Sequence, residues 1–117
     1  MGTFELEVER RDGDAAPVLA VHGELDLYTA PEFREQLAQL AESEERLIVD
    51  FGASTFLDSS ACRALLRAAR RLGAHGGRMV VVNKDPEIER MFAVMGLDEL
   101  LAVVRSRRDA MKRLAAA

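Results

Sequence analysis

The chain has no tryptophan, a single cysteine and only three prolines among its 117 residues. With Cys62 alone, neither an internal disulfide nor a cysteine-based zinc site can form. No apolar run approaches the roughly 20 residues needed to cross a bilayer. The opening Met1-Gly2-Thr3-Phe4-Glu5 has no basic stretch followed by a long apolar one, so no secretion signal is expected. Leu6 stands where a myristoylation motif needs Ser or Thr. Positive charge is not in excess either: the net charge of -4 argues against direct nucleic-acid binding. His22 and His75 form no ligand-spaced pair, so no metal is expected. Gly73-Ala74-His75-Gly76-Gly77 lacks the Lys-Ser/Thr ending of a nucleotide-binding loop, and no cofactor is expected. These absences point to a reducing, cytoplasmic setting with no membrane anchor.

What is present is an ordinary globular balance, 49% apolar and 31% charged. That supports one domain, residues 1–117, with a core needing no covalent staple. Phe4 to Glu9 alternates as a half-exposed strand whose three glutamates suit an exposed edge. Arg11-Asp12-Gly13-Asp14 supplies a turn, and Val18-Leu19-Ala20-Val21 returns as an antiparallel partner. Thr29-Ala30-Pro31-Glu32 has the spacing of a capping box, with Phe33, Leu37 and Leu40 inward on the helix that follows.

Leu47 to Phe51 is a buried strand. A second helix carries Cys62, Leu65, Leu66, Ala69 and Leu72 inward and ends near Gly73. Met79 to Val82 is a strand covered on both faces. Asp85-Pro86 opens a third helix that buries Ile88, Met91, Phe92 and Met95 and stops at Gly96. Leu101 to Val104 is a last strand, and Ser106 with Asp109 caps a last helix. The order predicts an α/β fold: a single mixed, mostly parallel sheet of four to five strands with about four helices packed against it.

The stretch Phe56-Leu57-Asp58-Ser59-Ser60 joins the central strand to the second helix. A hydroxyl at a helix start lies where free N–H groups and the dipole favour an added negative group. It is a good place to carry a phosphate and a poor one to generate a nucleophile without a base. Asp58 or Ser59 can each serve as the cap, and Ser60 is the alternative modified hydroxyl. Arg63, Arg67, Arg70 and Arg71 recur along one face of the same helix. They read as a solvated face or as a docking stripe for an acidic partner, with Arg63 nearest Ser59. Cys62 reads as a buried small residue.

Four motifs in order, Gly23-Glu24-Leu25-Asp26, Thr29-Ala30-Pro31, Phe56 to Ser60, and Met95-Gly96-Leu97, resemble the STAS domain, and specifically the free-standing bacterial anti-sigma factor antagonists. The resemblance covers nearly the whole chain. It implies a protein with no catalytic activity whose unphosphorylated form binds an anti-sigma factor that is also a serine kinase, so that a sigma factor is released. Ser59 would be the phosphoacceptor, and a metal-dependent serine phosphatase would restore the active form. The partner-facing set it implies is Asp26, Asp58, Ser59, Ser60, Ala61 and Arg63. Ala61 departs from the glycine usual after the two hydroxyls; a helix accepts alanine about 1 kcal/mol better, but its methyl is expected close to the docking surface.

Three other readings stand beside this one. A STAS module can act as a scaffold or sensor component that is never phosphorylated. A receiver-like domain would be phosphorylated on Asp50, with Lys84 following the next strand; no acidic pair after a first buried strand is present to hold its magnesium. An enzyme with Ser59 as nucleophile would need a histidine within reach, and there is no Gly-x-Ser-x-Gly elbow.

Overall fold

Side chains alternate along each strand, and that alternation assigns every helix to one face of the sheet. The structure, a computed structural model, describes residues 4–116. Its strands are β1 (Glu5–Glu9), β2 (Val18–His22), β3 (Arg46–Ala53), β4 (Arg78–Val82) and β5 (Ala102–Val104). They lie in the order β1-β2-β3-β4-β5, with β1 antiparallel to β2 and every other pair parallel. The helices are α1 (Ala30–Ser43), α2 (Ser59–Ala74), α3 (Pro86–Val94) and α4 (Arg107–Ala115), with a short 3-10 turn at Leu97–Glu99. This is the α/β architecture the sequence predicts.

Leu19, Val21, Leu47, Val49, Phe51 and Val81 point to one side, where they meet Phe33 and Leu37 of α1, Leu65 of α2 and Phe92 of α3. Val18, Ile48, Val80 and Val82 point to the other, against Ala110 and Leu114 of α4. Both faces of β4 are therefore covered, as its continuous apolar run requires. Phe33 and Phe51 form a tilted pair, ring centroids 5.9 Å apart, at the centre of the larger core.

Three helix starts or stops follow the local sequence signals. Asp85 accepts from the N–H groups of Glu87 and Ile88, Ser106 accepts from Asp109, and Gly96 closes α3 with φ 72°. One differs. Thr29 makes no capping bond to its helix, because its hydroxyl is already engaged in the turn before it. α2 ends at Ala74, one residue past Gly73; the chain then turns at Gly76 (φ 81°), and the Gly77 N–H reaches the Leu72 carbonyl at 2.7 Å. A side chain at Gly77 would sit 2.5 Å from the Glu45 carbonyl oxygen, so only glycine fits there.

The glutamates of β1 are not all solvated. Arg107, at the start of α4, donates in two-pronged fashion to Glu9 (2.9 and 2.8 Å) and through Nε to Asp50 (2.5 Å). One guanidinium thus ties α4 to β1 and β3. Its pKa is raised and that of Glu9 lowered, in both cases chiefly by their mutual hydrogen bond.

Candidate functional site

The loops that follow the parallel strands β2 and β3 meet at the carboxyl end of the sheet. Gly23 leaves β2 with φ 93°, a conformation that favours glycine, and its N–H binds the Ala53 carbonyl at 3.1 Å. Leu25 then pairs with Leu57 in an isolated parallel bridge: Leu25 N–H donates to the Phe56 carbonyl (3.0 Å), and Asp58 N–H donates to the Leu25 carbonyl (2.9 Å). Both leucines are fully buried. The two loops are thus bonded to each other, and Asp26 is tied through Leu25 to the start of α2.

Asp58 is the cap of α2. Its Oδ1 accepts from Ala61 N–H at 2.9 Å and from the Ser60 hydroxyl at 2.8 Å. Ser60 also accepts a long bond from Arg34 of α1, at 3.4 Å. Ser59, the first residue of the helix, is exposed, and among the described residues its hydroxyl has no hydrogen-bond partner. Of the two serines, Ser60 is tied down and Ser59 is free.

Asp26 is engaged with its own turn. Its Oδ1 accepts from the N–H groups of Tyr28 (2.9 Å) and Thr29 (3.0 Å), while the Thr29 hydroxyl accepts from Asp26 N–H and donates to the Glu24 carbonyl. These bonds hold the Asp26 carboxyl below its usual range, the one from Thr29 N–H contributing most. The turn holds Leu27 and Tyr28 out in solvent, 76% and 88% exposed, and Phe56 of the neighbouring loop is 44% exposed. These three side chains are the part of the site that sequence reasoning missed. In the sequence they look like core; only the Asp and Thr that lock the turn hinted at their display.

Ala61 is fully buried, with its methyl in the main core. The methyl expected close to the docking surface turns inward at the third position of α2, beneath the exposed serine. Arg63 is exposed and makes no ion pair among the described residues. Cys62 is buried, and burial, with the nearby Asp58 charge, pushes its thiol pKa up to about 11, so it is not a reactive thiol.

The alternatives fare less well on geometry. Asp50 accepts from Gly52 N–H at 2.7 Å and from Arg107, so each oxygen is engaged, on the side of the sheet that α4 covers. Among the described residues no cluster of acidic or other ligands could hold a metal ion. His75 contacts the Ala41 carbonyl at 3.2 Å and His22 faces Glu7 at 3.7 Å; neither is hydrogen-bonded to Ser59. No helix among the described residues is long and apolar enough to cross a membrane.

Known proteins resemble this chain in sequence and fold. An anti-sigma-B factor antagonist of Bacillus subtilis (strain 168) is 26% identical over 100 residues, 86% of this chain and 90% of that protein. The crystal structure of an anti-sigma factor antagonist from Mycobacterium paratuberculosis superposes with a TM-score of 0.86 at 29% identity, covering 97% of this chain and 96% of that one. The Bacillus cell fate determinant SpoIIAA in its phosphorylated form shares the fold, with a TM-score of 0.68 at 24% identity over 96% of this chain and 99% of that one. The model of the STAS domain matches residues 5–110, nearly the whole of the sheet and helices described above, and the chain belongs to the STAS domain family.

Proposed function

We propose that this chain is an anti-sigma factor antagonist switched by phosphorylation of Ser59. Its unphosphorylated form binds an anti-sigma factor that is also a serine kinase, which frees a sigma factor; phosphorylation ends the binding, and a serine phosphatase restores it. The observation that carries the reading is one unpartnered, exposed hydroxyl at the start of α2, beside apolar side chains that a rigid turn holds in solvent.

The chemistry follows from that placement. With no base in hydrogen-bond reach, Ser59 is an ordinary alcohol, reactive only in another protein's active site. A phosphate there adds about −1.5 to −2 charge and three acceptor oxygens. The open N–H groups and dipole of α2 offset part of that charge, so the fold accepts it. The bound partner does not. Leu27, Tyr28 and Phe56 are the kind of anchors that carry interface energy, and a dianion introduced among them must be desolvated. Releasing a partner almost completely takes about 5.5 kcal/mol of differential affinity. An exposed charge supplies about 0–1 kcal/mol, so Ser59 has to lie within the buried contact. Asp58 and Ser60 flank it, Arg63 lies one turn along α2, and Asp26 is tied to the same helix start through the Leu25–Leu57 bridge.

The test is capture of partners from the host cell by tagged wild-type, Ser59→Ala and Ser59→Asp chains, with mass spectrometry locating any phosphate. Ser59→Ala should hold a kinase-type anti-sigma factor persistently and Ser59→Asp should lose it. Equal capture by all three, with no phosphoserine at position 59, would sink the switch and leave an unmodified scaffold.

A further inference from the structure

We propose that the groove between α1 and α2 is a second contact surface, which receives an acidic helical segment of the partner protein. The identity of that partner rests on the function proposed above; the groove itself does not. The two helices lie side by side over the sheet, enclosing an open cleft of about 250 Å³. Ala41, Ala64 and Ala68 form its buried floor, and Arg34 of α1 and Arg67 of α2 stand on opposite walls. Arg34 reaches Ser60 at one end, and a two-pronged Arg71–Glu42 pair (2.6 and 2.7 Å) closes the other. The cleft thus runs on from the Ser59 site.

Charge selects the occupant. The chain carries a net charge of -4, yet α2 contains four arginines and no carboxylate. Arg10, Arg71, Arg90 and Arg107 all find carboxylates within the molecule, whereas Arg34 and Arg67 make no ion pair among the described residues. Alanines in the floor allow a third helix to approach closely but offer no depth for a large side chain. Arg34 reaches Ser60 in the first turn of α2, and Arg67 lies seven residues, about two helical turns, further along that helix. Carboxylates at i and i+7 of an incoming helix are spaced about 10 Å along its axis and can meet both. Exposed pairs of this kind contribute little individually. Apolar contact with exposed Ala38 and the aliphatic stems of Arg34 and Arg67 therefore adds to the binding, and the arginines fix its sign and register. A flat lipid surface cannot reach a floor recessed behind the arginine side chains.

The experiment titrates the isotope-labelled full chain with a synthetic Ala/Leu helix bearing glutamates at i and i+7, followed by amide NMR. Shifts should centre on Ala38, Ala41, Ala64 and Ala68. A Lys-for-Glu peptide should give none, and a scrambled peptide of equal charge should give far smaller ones. Arg34→Glu combined with Arg67→Glu should weaken binding about tenfold or more, while Arg113→Glu, on α4 across the sheet, should leave it unchanged. The proposal is overturned by silence at the groove, by equal shifts from the scrambled peptide, or by binding only to phosphatidylglycerol vesicles. Failure here with partner capture intact removes the groove alone; peptide binding without phosphorylation-dependent capture removes the switch alone.

Discussion

Ser60 Oγ donates to Asp58 Oδ1 at 2.8 Å, and this one bond separates two adjacent serines into a structural residue and an available one. Peptide mapping after kinase treatment should therefore place phosphate on Ser59. Ser59→Ala should abolish incorporation. Ser60→Ala should retain it and lose about 0.5–1.5 kcal/mol of stability with the broken bond. Phosphate found mainly on Ser60 would reverse the assignment.

Tyr28 is the most exposed large side chain in the site. Tyr28→Ala should leave urea stability within about 0.5 kcal/mol of wild type, as surface changes away from special features do. Partner affinity should fall by about 2 kcal/mol or more if Tyr28 is an anchor. Calorimetry with the captured partner measures the second quantity. Unchanged affinity for Tyr28→Ala and Leu27→Ala together would move the contact elsewhere.

The turn that displays Tyr28 has its own acid limit. The folded pKa of Asp26 is lowered by the backbone N–H groups of Thr29 and then Tyr28. A lowered folded value gives stabilisation that is complete above the unfolded pKa, about 3.9, and is lost as pH falls through the folded one. The turn should stay closed through mild acid and open only below the ordinary aspartate range. A carbon-detected NMR titration of the Asp26 carboxyl checks this; a midpoint at or above about 4 would contradict the hydrogen-bonded geometry.

Much of this architecture was legible because the relevant signals are local. Alternation in Phe4–Glu9, the apolar run Met79–Val82 and the caps Asp85 and Ser106 each depend on neighbours within a few residues. The misread features depend on contacts between distant parts of the chain. Glu9 looked like a solvated edge glutamate until Arg107, 98 residues away, was seen to hold it. Arg34 gave no sign of meeting Ser60, 26 residues on. The Thr29 to Glu32 spacing fitted a capping box, but a stronger local turn took the hydroxyl first. Ala61 followed two surface serines, yet helical rotation carries its methyl into the core.

Arg107 offers a second acid-linked test, remote from Ser59. Arg107→Leu should lower stability by about 1–2 kcal/mol, a figure reduced because the guanidinium is over one-third exposed. Glu9 has a lowered folded pKa, so its contribution is full above about 4.3 and disappears as pH falls through the folded value. The gap between wild type and Arg107→Leu should therefore be widest near neutrality and shrink in acid. Urea melts across the acid range would read it; a gap that widens as pH falls would contradict the ion pair.

Asp58 and a phosphate on Ser59 compete for the same helix start. Asp58 supplies the cap, with its carboxylate on Ala61 N–H, so Asp58→Ala should cost about 1 kcal/mol. Asparagine caps nearly as well, so Asp58→Asn should cost only a few tenths. Negative charge at position 59 is drawn to the helix dipole but repelled by the neighbouring carboxylate. Ser59→Asp should thus change stability by less than about 1 kcal/mol in the wild-type background. The same change should become neutral or favourable when Asp58 is asparagine. A double-mutant cycle by urea denaturation isolates the coupling. If Ser59→Asp instead lost several kcal/mol in both backgrounds, modification would act by unfolding the chain, and the interface would no longer be where the switch operates.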